Sequence, residues 1–190
     1  WQYVEECEGP SIWQHLKFID QAMSDAVQRG LEKEGDVPGP FKYPKRAREM
    51  YDKALSKRAS LVFTNKIFAY ALAVSEENAS MGQVVTAPTC GASGVVPGVL
   101  RAMKEEYELV EKHILRGLAI AGLVGNLVKY NATISGAEAG CQAEVGTACS
   151  MAAAMATYFM GGSIDQIEYA AESAMEHHLG MTCDPVGGYV

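Results

Sequence analysis

Two cysteines stand in settings where a thiolate could bind metal. Cys141 sits in Gly136-Ala-Glu-Ala-Gly-Cys-Gln-Ala-Glu-Val-Gly146, near the start of a helix rich in small residues, where the helix N-terminus stabilises negative charge. Cys183 lies in Gly180-Met-Thr-Cys-Asp-Pro-Val-Gly-Gly188, directly after a helix stop, so its sulfur is on a loop that can turn toward the same point. A free cysteine in an Ala/Gly-rich helix also reads as a small buried hydrophobe, and spacing alone leaves both readings open. Cys149, two turns beyond Cys141 among alanines, reads as core packing. Cys7 and Cys90 have no partner spacing.

A second constellation is the turn-rich segment Thr86-Ala-Pro-Thr-Cys-Gly-Ala-Ser-Gly94. It offers the hydroxyls of Thr86, Thr89 and Ser93 and the backbone N–H of Gly91 at the entrance to a helix, an arrangement that binds a carboxylate or phosphate. A helix cap and tight turn with no ligand is the alternative. No Gly-Lys-Ser/Thr follows, so it is not a Walker loop. Among the histidines, His15 and His113 fall on amphipathic helices, whereas His177 and His178 close a helix shortly before Cys183, where a metal centre would need a proton carrier. A solvated pair ending a helix is the plainer reading of the same residues.

The elements that must position these groups read as helices. Ile12, Leu16, Ile19, Met23, Val27 and Leu31 recur at three- and four-residue steps, with Ser11 as the expected N-cap. Residues 34–44 hold three prolines and two glycines in eleven positions, which predicts an irregular loop. Helical character resumes near Arg46 and runs to about Met81, with a break around Ala59-Ser60. Further helices are expected from about Val95, with Pro97 in the first turn, from Val110 to Tyr130, from Ala137 to Met160, and from Ser163 to Leu179. Ser163 and Gln166 should form a capping box on the last, and Gly161-Gly162 and Gly180 should act as stops. The fold class is all-α: one compact helical bundle over residues 1–190, with the small-residue stretch Ser135 to Ala156 as its buried central helix.

At 190 residues, 48% hydrophobic and 21% charged, the composition is that of one well-cored domain. A net charge of -7 argues against a nucleic-acid-binding surface. The longest apolar stretch, Gly117 to Val128, is far short of the ~20 residues of a membrane span. Five irregularly spaced cysteines argue against a disulfide framework and for reduced thiols in a cytoplasmic setting. The chain opens on Trp1 and closes on Gly187-Gly188-Tyr189-Val190, which reads as a fragment.

Taken together, these segments resemble the α domain of the iron-sulfur-dependent L-serine dehydratases. The resemblance covers roughly residues 12–190 and is carried by Asn78-Ala-Ser-Met-Gly82, Thr86-Ala-Pro-Thr with Gly91 to Leu100, Ser135 to Gly146, and Ala174-Met-Glu-His followed by Leu179 to Gly188, in the family's order. It implies a 4Fe-4S cluster held by three cysteines, two of which map onto Cys141 and Cys183. The third falls beyond Val190, so the cluster is expected to be incomplete in the fragment and the fragment inactive. Three thiolates leave one iron open as a Lewis acid for β-elimination of water from L-serine, giving pyruvate and ammonia.

The resemblance further implies that the substrate carboxylate is held by the iron or by the Thr86 to Ser93 turn, with Thr86, Thr89, Gly91, Ser93 and Ser135 as the substrate-binding residues. His177 is the candidate base by its position, and a residue on a separate domain is its rival. It also implies a separate β chain or β domain as partner, and it allows a homo-oligomer. Cys90 stands where the family frequently has an asparagine or a small residue, and His178 where it frequently has an asparagine; neither change removes a ligand. A cysteine desulfidase-type elimination on the same scaffold and a non-catalytic helical interaction module are the alternative functions.

Overall fold

A computed structural model of the chain describes residues 1–56 and 59–182, with side chains at all of these except 59 and 60. The apolar stripe read from Ile12 becomes α2 (Ile12–Glu32), which buries Leu16, Met23, Val27 and Leu31. Ser11 occupies the N-cap position but does not cap, because its backbone is already helical (φ -65°, ψ -20°) and the side chain cannot reach the first free N–H groups. Ahead of it lies α1 (Gln2–Glu8), too short for its periodicity to register in the sequence. Gly9, at φ 74°, turns the chain from one helix into the other.

Residues 34–44 are not wholly irregular. Strands β1 (Asp36–Val37) and β2 (Tyr43–Pro44) form a minimal antiparallel pair in the register Asp36 to Pro44 and Val37 to Tyr43. Pro44 is tolerated because a two-stranded ribbon has only edge strands. The break predicted around Ala59-Ser60 falls a few residues earlier: α3 (Ala47–Leu55) ends before it, and Ala59 and Ser60 already belong to α4 (Ala59–Ala79).

A second group of helices follows: α5 (Val95–Tyr107), α6 (Glu111–Asn131), α7 (Gly136–Ala139), α8 (Cys141–Phe159) and α9 (Ile164–Glu176). Pro97 lies in the first turn of α5. The capping box on α9 is complete: Ser163 N–H donates to Gln166 Oε1 at 2.9 Å and Gln166 N–H to Ser163 Oγ at 3.3 Å. This helix stops at Glu176, short of the expected Leu179.

The layers are joined through α5, which packs on α4 on one side and α8 on the other. Helix α8 is the central helix the sequence predicts, surrounded by α5, α6 and α9. Its Ala148, Ala154 and Met155 are fully buried. The main core joins α2, α5, α6 and α8 through Leu16, Leu100, Leu118 and Met155, and a second joins α2, α3 and α4 around Val27, Tyr70 and Val74. Each large apolar side chain buried to this degree stabilises the fold by about 1.5–3 kcal/mol.

Candidate functional site

The helix expected to run unbroken from Ala137 to Met160 is interrupted at Gly140 (φ 77°, ψ 177°), a conformation that a side chain would resist. The interruption makes Gly140 the N-cap of α8 and Cys141 its first residue. Cys141 is half-buried, at the positive end of a 19-residue helix dipole. Gln142 and Glu144 follow in the same turn, and Glu144, three residues on, shares the face of Cys141.

The segment 86–94 is brought to this turn by Glu144. Thr89 Oγ1–H donates to Glu144 Oε2. A Cβ at Gly91 would lie 2.9 Å from the same oxygen, and one at Gly136 would lie 1.9 Å from Oε1. Thr89, Gly91 and the Ser135–Gly136 start of α7 are thus gathered around one carboxylate. The Ala87–Pro88 peptide within the segment is cis. Ser93 is buried, and its hydroxyl donates to the Cys90 carbonyl at 2.7 Å, which closes the turn from within. Thr86 is exposed and Ser135 half-buried, the latter donating its N–H to Thr133 Oγ1 at 3.0 Å.

The end of α9 reaches the same region. Gly180 N–H donates to Gln142 Oε1 at 2.7 Å, while Gln142 Nε2 donates to the Ala139 carbonyl at 2.9 Å. His177 is the exposed C-cap residue, its Nδ1 2.6 Å from the Ser173 carbonyl; His178 makes the equivalent contact with the Ala174 carbonyl at 2.7 Å. A carbonyl only accepts, so Nδ1 carries the proton in both rings and Nε2 is the atom left for proton transfer. His178 packs on α8, its Cβ 3.2 Å from where a Cβ on Gly146 would stand. A groove of about 480 Å³ opens beside this junction, lined by Leu127, Val128, Ala139, Gln142, Met175 and Leu179.

Cys183 lies outside the described residues. Among the described residues no three His, Cys, Asp or Glu side chains group as a metal site. The donors nevertheless suit an iron-sulfur cluster: Cys141 begins a helix, and Gly180, held to its neighbour Gln142, is three residues before Cys183, a covalent tether of at most about 11 Å. Burial pushes the Cys149 thiol up, which favours the neutral thiol at neutral pH and fits the packing role. Cys7 and Cys90 are exposed. His15 is exposed, and His113 stacks edge-on against Tyr158 at 4.8 Å. Glu144 and Gln142 are the site residues that periodicity and spacing miss, since their partners are distant in sequence; the only local signal is two polar side chains within an Ala/Gly-rich helix start.

Comparison with known proteins gives a consistent result. The family model described as serine dehydratase alpha chain matches residues 5–190. An L-serine dehydratase of Haemophilus influenzae is 46% identical over 187 residues, covering 93% of this chain and 40% of that protein. L-serine dehydratase TdcG of Escherichia coli is 50% identical over 177 residues, covering 90% of this chain and 39% of that protein. An L-serine dehydratase of Streptomyces coelicolor is 49% identical over 181 residues, covering 94% and 40% respectively. The chain therefore spans about 40% of the length of these relatives.

Proposed function

Because the chain belongs to the serine dehydratase alpha chain family, we propose that it is the α part of an iron-sulfur lyase that converts L-serine to pyruvate and ammonia. The observation that carries this reading is the convergence of the Thr89–Gly91 turn and the Gly180 turn on the first turn of α8, where Cys141 stands. The names of the matched relatives favour serine over a cysteine desulfidase-type elimination or a non-catalytic helical module.

Cys141 and Cys183 would hold the 4Fe-4S cluster, which when bound supplies a Lewis acid that makes the β-hydroxyl a better leaving group. The turn from Thr86 to Ser93, with Ser135 beside it, binds the substrate: Thr86, Thr89 and the Gly91 N–H orient it, and Ser93 keeps the turn's shape. His177, with its proton held on Nδ1 by the Ser173 carbonyl, accepts the α-proton at Nε2. Loss of that proton and of the hydroxyl leaves an aminoacrylate, whose imine tautomer takes up water and releases ammonia and pyruvate. The chain's share of its relatives' length supports a β chain or β domain as partner. Reduced cysteines support a cytoplasmic setting, and no described helix is long and apolar enough to cross a membrane.

The test is anaerobic reconstitution of the natural full-length protein with iron and sulfide, beside Cys141→Ala and Cys183→Ala, recording visible absorption and pyruvate formation from L-serine. The expected result is an oxygen-sensitive chromophore and pyruvate in the wild type, with both lost in each variant. A wild type that forms neither refutes the assignment.

A further inference from the structure

Glu144 is a half-buried carboxylate near the start of α8, and each of its oxygens meets a different wall of the site. Oε2 accepts from the Thr89 hydroxyl and lies where a Cβ on Gly91 would approach to 2.9 Å; Oε1 lies 1.9 Å from where a Cβ on Gly136 would stand. Real Cβ atoms do not approach an oxygen so closely, so a side chain at 136 would displace the carboxylate from this position. The carboxylate is thus bounded on two sides, by the Gly91 turn and by the start of α7, and its position three residues on from Cys141 puts it on the face of the helix that carries that cysteine.

We propose that Glu144 is a positioning residue, fixing the Thr86–Gly94 turn at a set distance from Cys141 so that a substrate held by the turn is registered against the metal site. This rests on the reading of the turn as the L-serine site. The coupling depends on reach and on an acceptor oxygen. A glutamine keeps both, an aspartate is one methylene too short to touch Thr89 and Gly136 together, and an alanine has neither.

In the reconstituted full-length protein, Glu144→Ala should raise KM for L-serine roughly tenfold, the equivalent of one lost hydrogen bond of about 1.4 kcal/mol. Its cluster absorbance per chain should match the wild type. Glu144→Gln should recover most of the KM and Glu144→Asp should not. Thr89→Val, which also removes a hydroxyl that orients the substrate, should raise KM at least as much, and the double variant Thr89→Val/Glu144→Ala should be no worse than Thr89→Val alone, because the Thr89–Glu144 contact is then already lost.

An unchanged KM in Glu144→Ala with an active wild type overturns the positioning role alone. A Glu144→Gln variant as impaired as Glu144→Ala also overturns it, since the charge and not the reach would matter. So does a loss of cluster absorbance that parallels the loss of activity, which would place the effect on the metal site. A wild type that forms no pyruvate overturns both the functional assignment and the inference built on it.

Discussion

Gln142 and Gly180 are 38 positions apart, yet the Gln142 side-chain oxygen accepts the Gly180 N–H at 2.7 Å. Since the same amide donates to the Ala139 carbonyl, one side chain ties the break before α8 to the turn after α9. These are the two places from which the candidate cluster ligands depart.

Removing that tie should loosen the second place without unfolding the bundle. Gln142→Ala is expected to cost about 1–2 kcal/mol, because two partly exposed hydrogen bonds, to the Gly180 N–H and the Ala139 carbonyl, are lost. Backbone hydrogen exchange at Gly180 and Met181 should quicken, and reconstituted iron per chain should fall below wild type. Unchanged exchange together with full iron content would show that Gln142 does not hold the segment.

Two carboxylates, each held by several donors, predict the acid response. Burial alone would push the Glu77 carboxyl up, but hydrogen bonds from Lys33 and Arg29 hold it below the usual carboxylate range. Glu105 behaves alike: burial opposes ionisation, and bonds from Arg101, Lys66 and Tyr70 outweigh it. A depressed folded value means stability that is present above the unfolded value of about 4.3 and lost as pH falls through the folded one. The thermal midpoint should therefore be steady down to about pH 5 and fall below about pH 4. The fall should be shallower in Glu77→Gln and Glu105→Gln, whose midpoints start lower at neutral pH. Variants with the wild-type acid slope would remove both groups from the account.

What the sequence revealed and what it hid divide along the range of the interactions. The Ser163–Gln166 capping box was legible because its two partners are three residues apart, and the break before α4 because the helical pattern itself falters there. The α2 stripe was legible for the same reason. Gly140 was not: a glycine inside an alanine-rich run is tolerated in a helix, and only its positive φ marks the interruption that places Cys141 first in α8. Nor were Glu144 and Gln142, whose roles depend on Thr89 and Gly180 arriving from elsewhere in the chain. Buried small residues such as Ala47, Ala69 and Ala73 were also hidden, since alanine carries little hydrophobic signal.

Helix α3 is capped from a distance. Arg46 at its N-cap makes no side-chain cap bond; Glu76 of α4, 3% exposed, accepts the Arg46 N–H at 2.7 Å and the Ala47 N–H at 3.3 Å. Glu76→Ala should cost about 1–2 kcal/mol, the usual loss for a cap, and Glu76→Gln less because an acceptor oxygen remains. Chemical denaturation at neutral pH measures both. Equal losses would mean that charge at the helix start matters more than the hydrogen bonds.

The same substitution at two glycines should have opposite signs. Gly30 is buried on the inner face of α2, where a Cβ would stand 2.1 Å from the Ala73 carbonyl oxygen of α4, and a backbone atom cannot swing aside. Separating the helices costs about 1–3 kcal/mol or more, which exceeds the roughly 1 kcal/mol that alanine gains over glycine within a helix. Gly122, exposed in the middle of α6, has nothing within 4 Å of an added Cβ, so only the helix gain applies. Gly30→Ala should lower the thermal midpoint by several degrees and Gly122→Ala should raise it by about 2–4 °C. A midpoint for Gly30→Ala at or above wild type would show that α2 and α4 do not cross as closely as described.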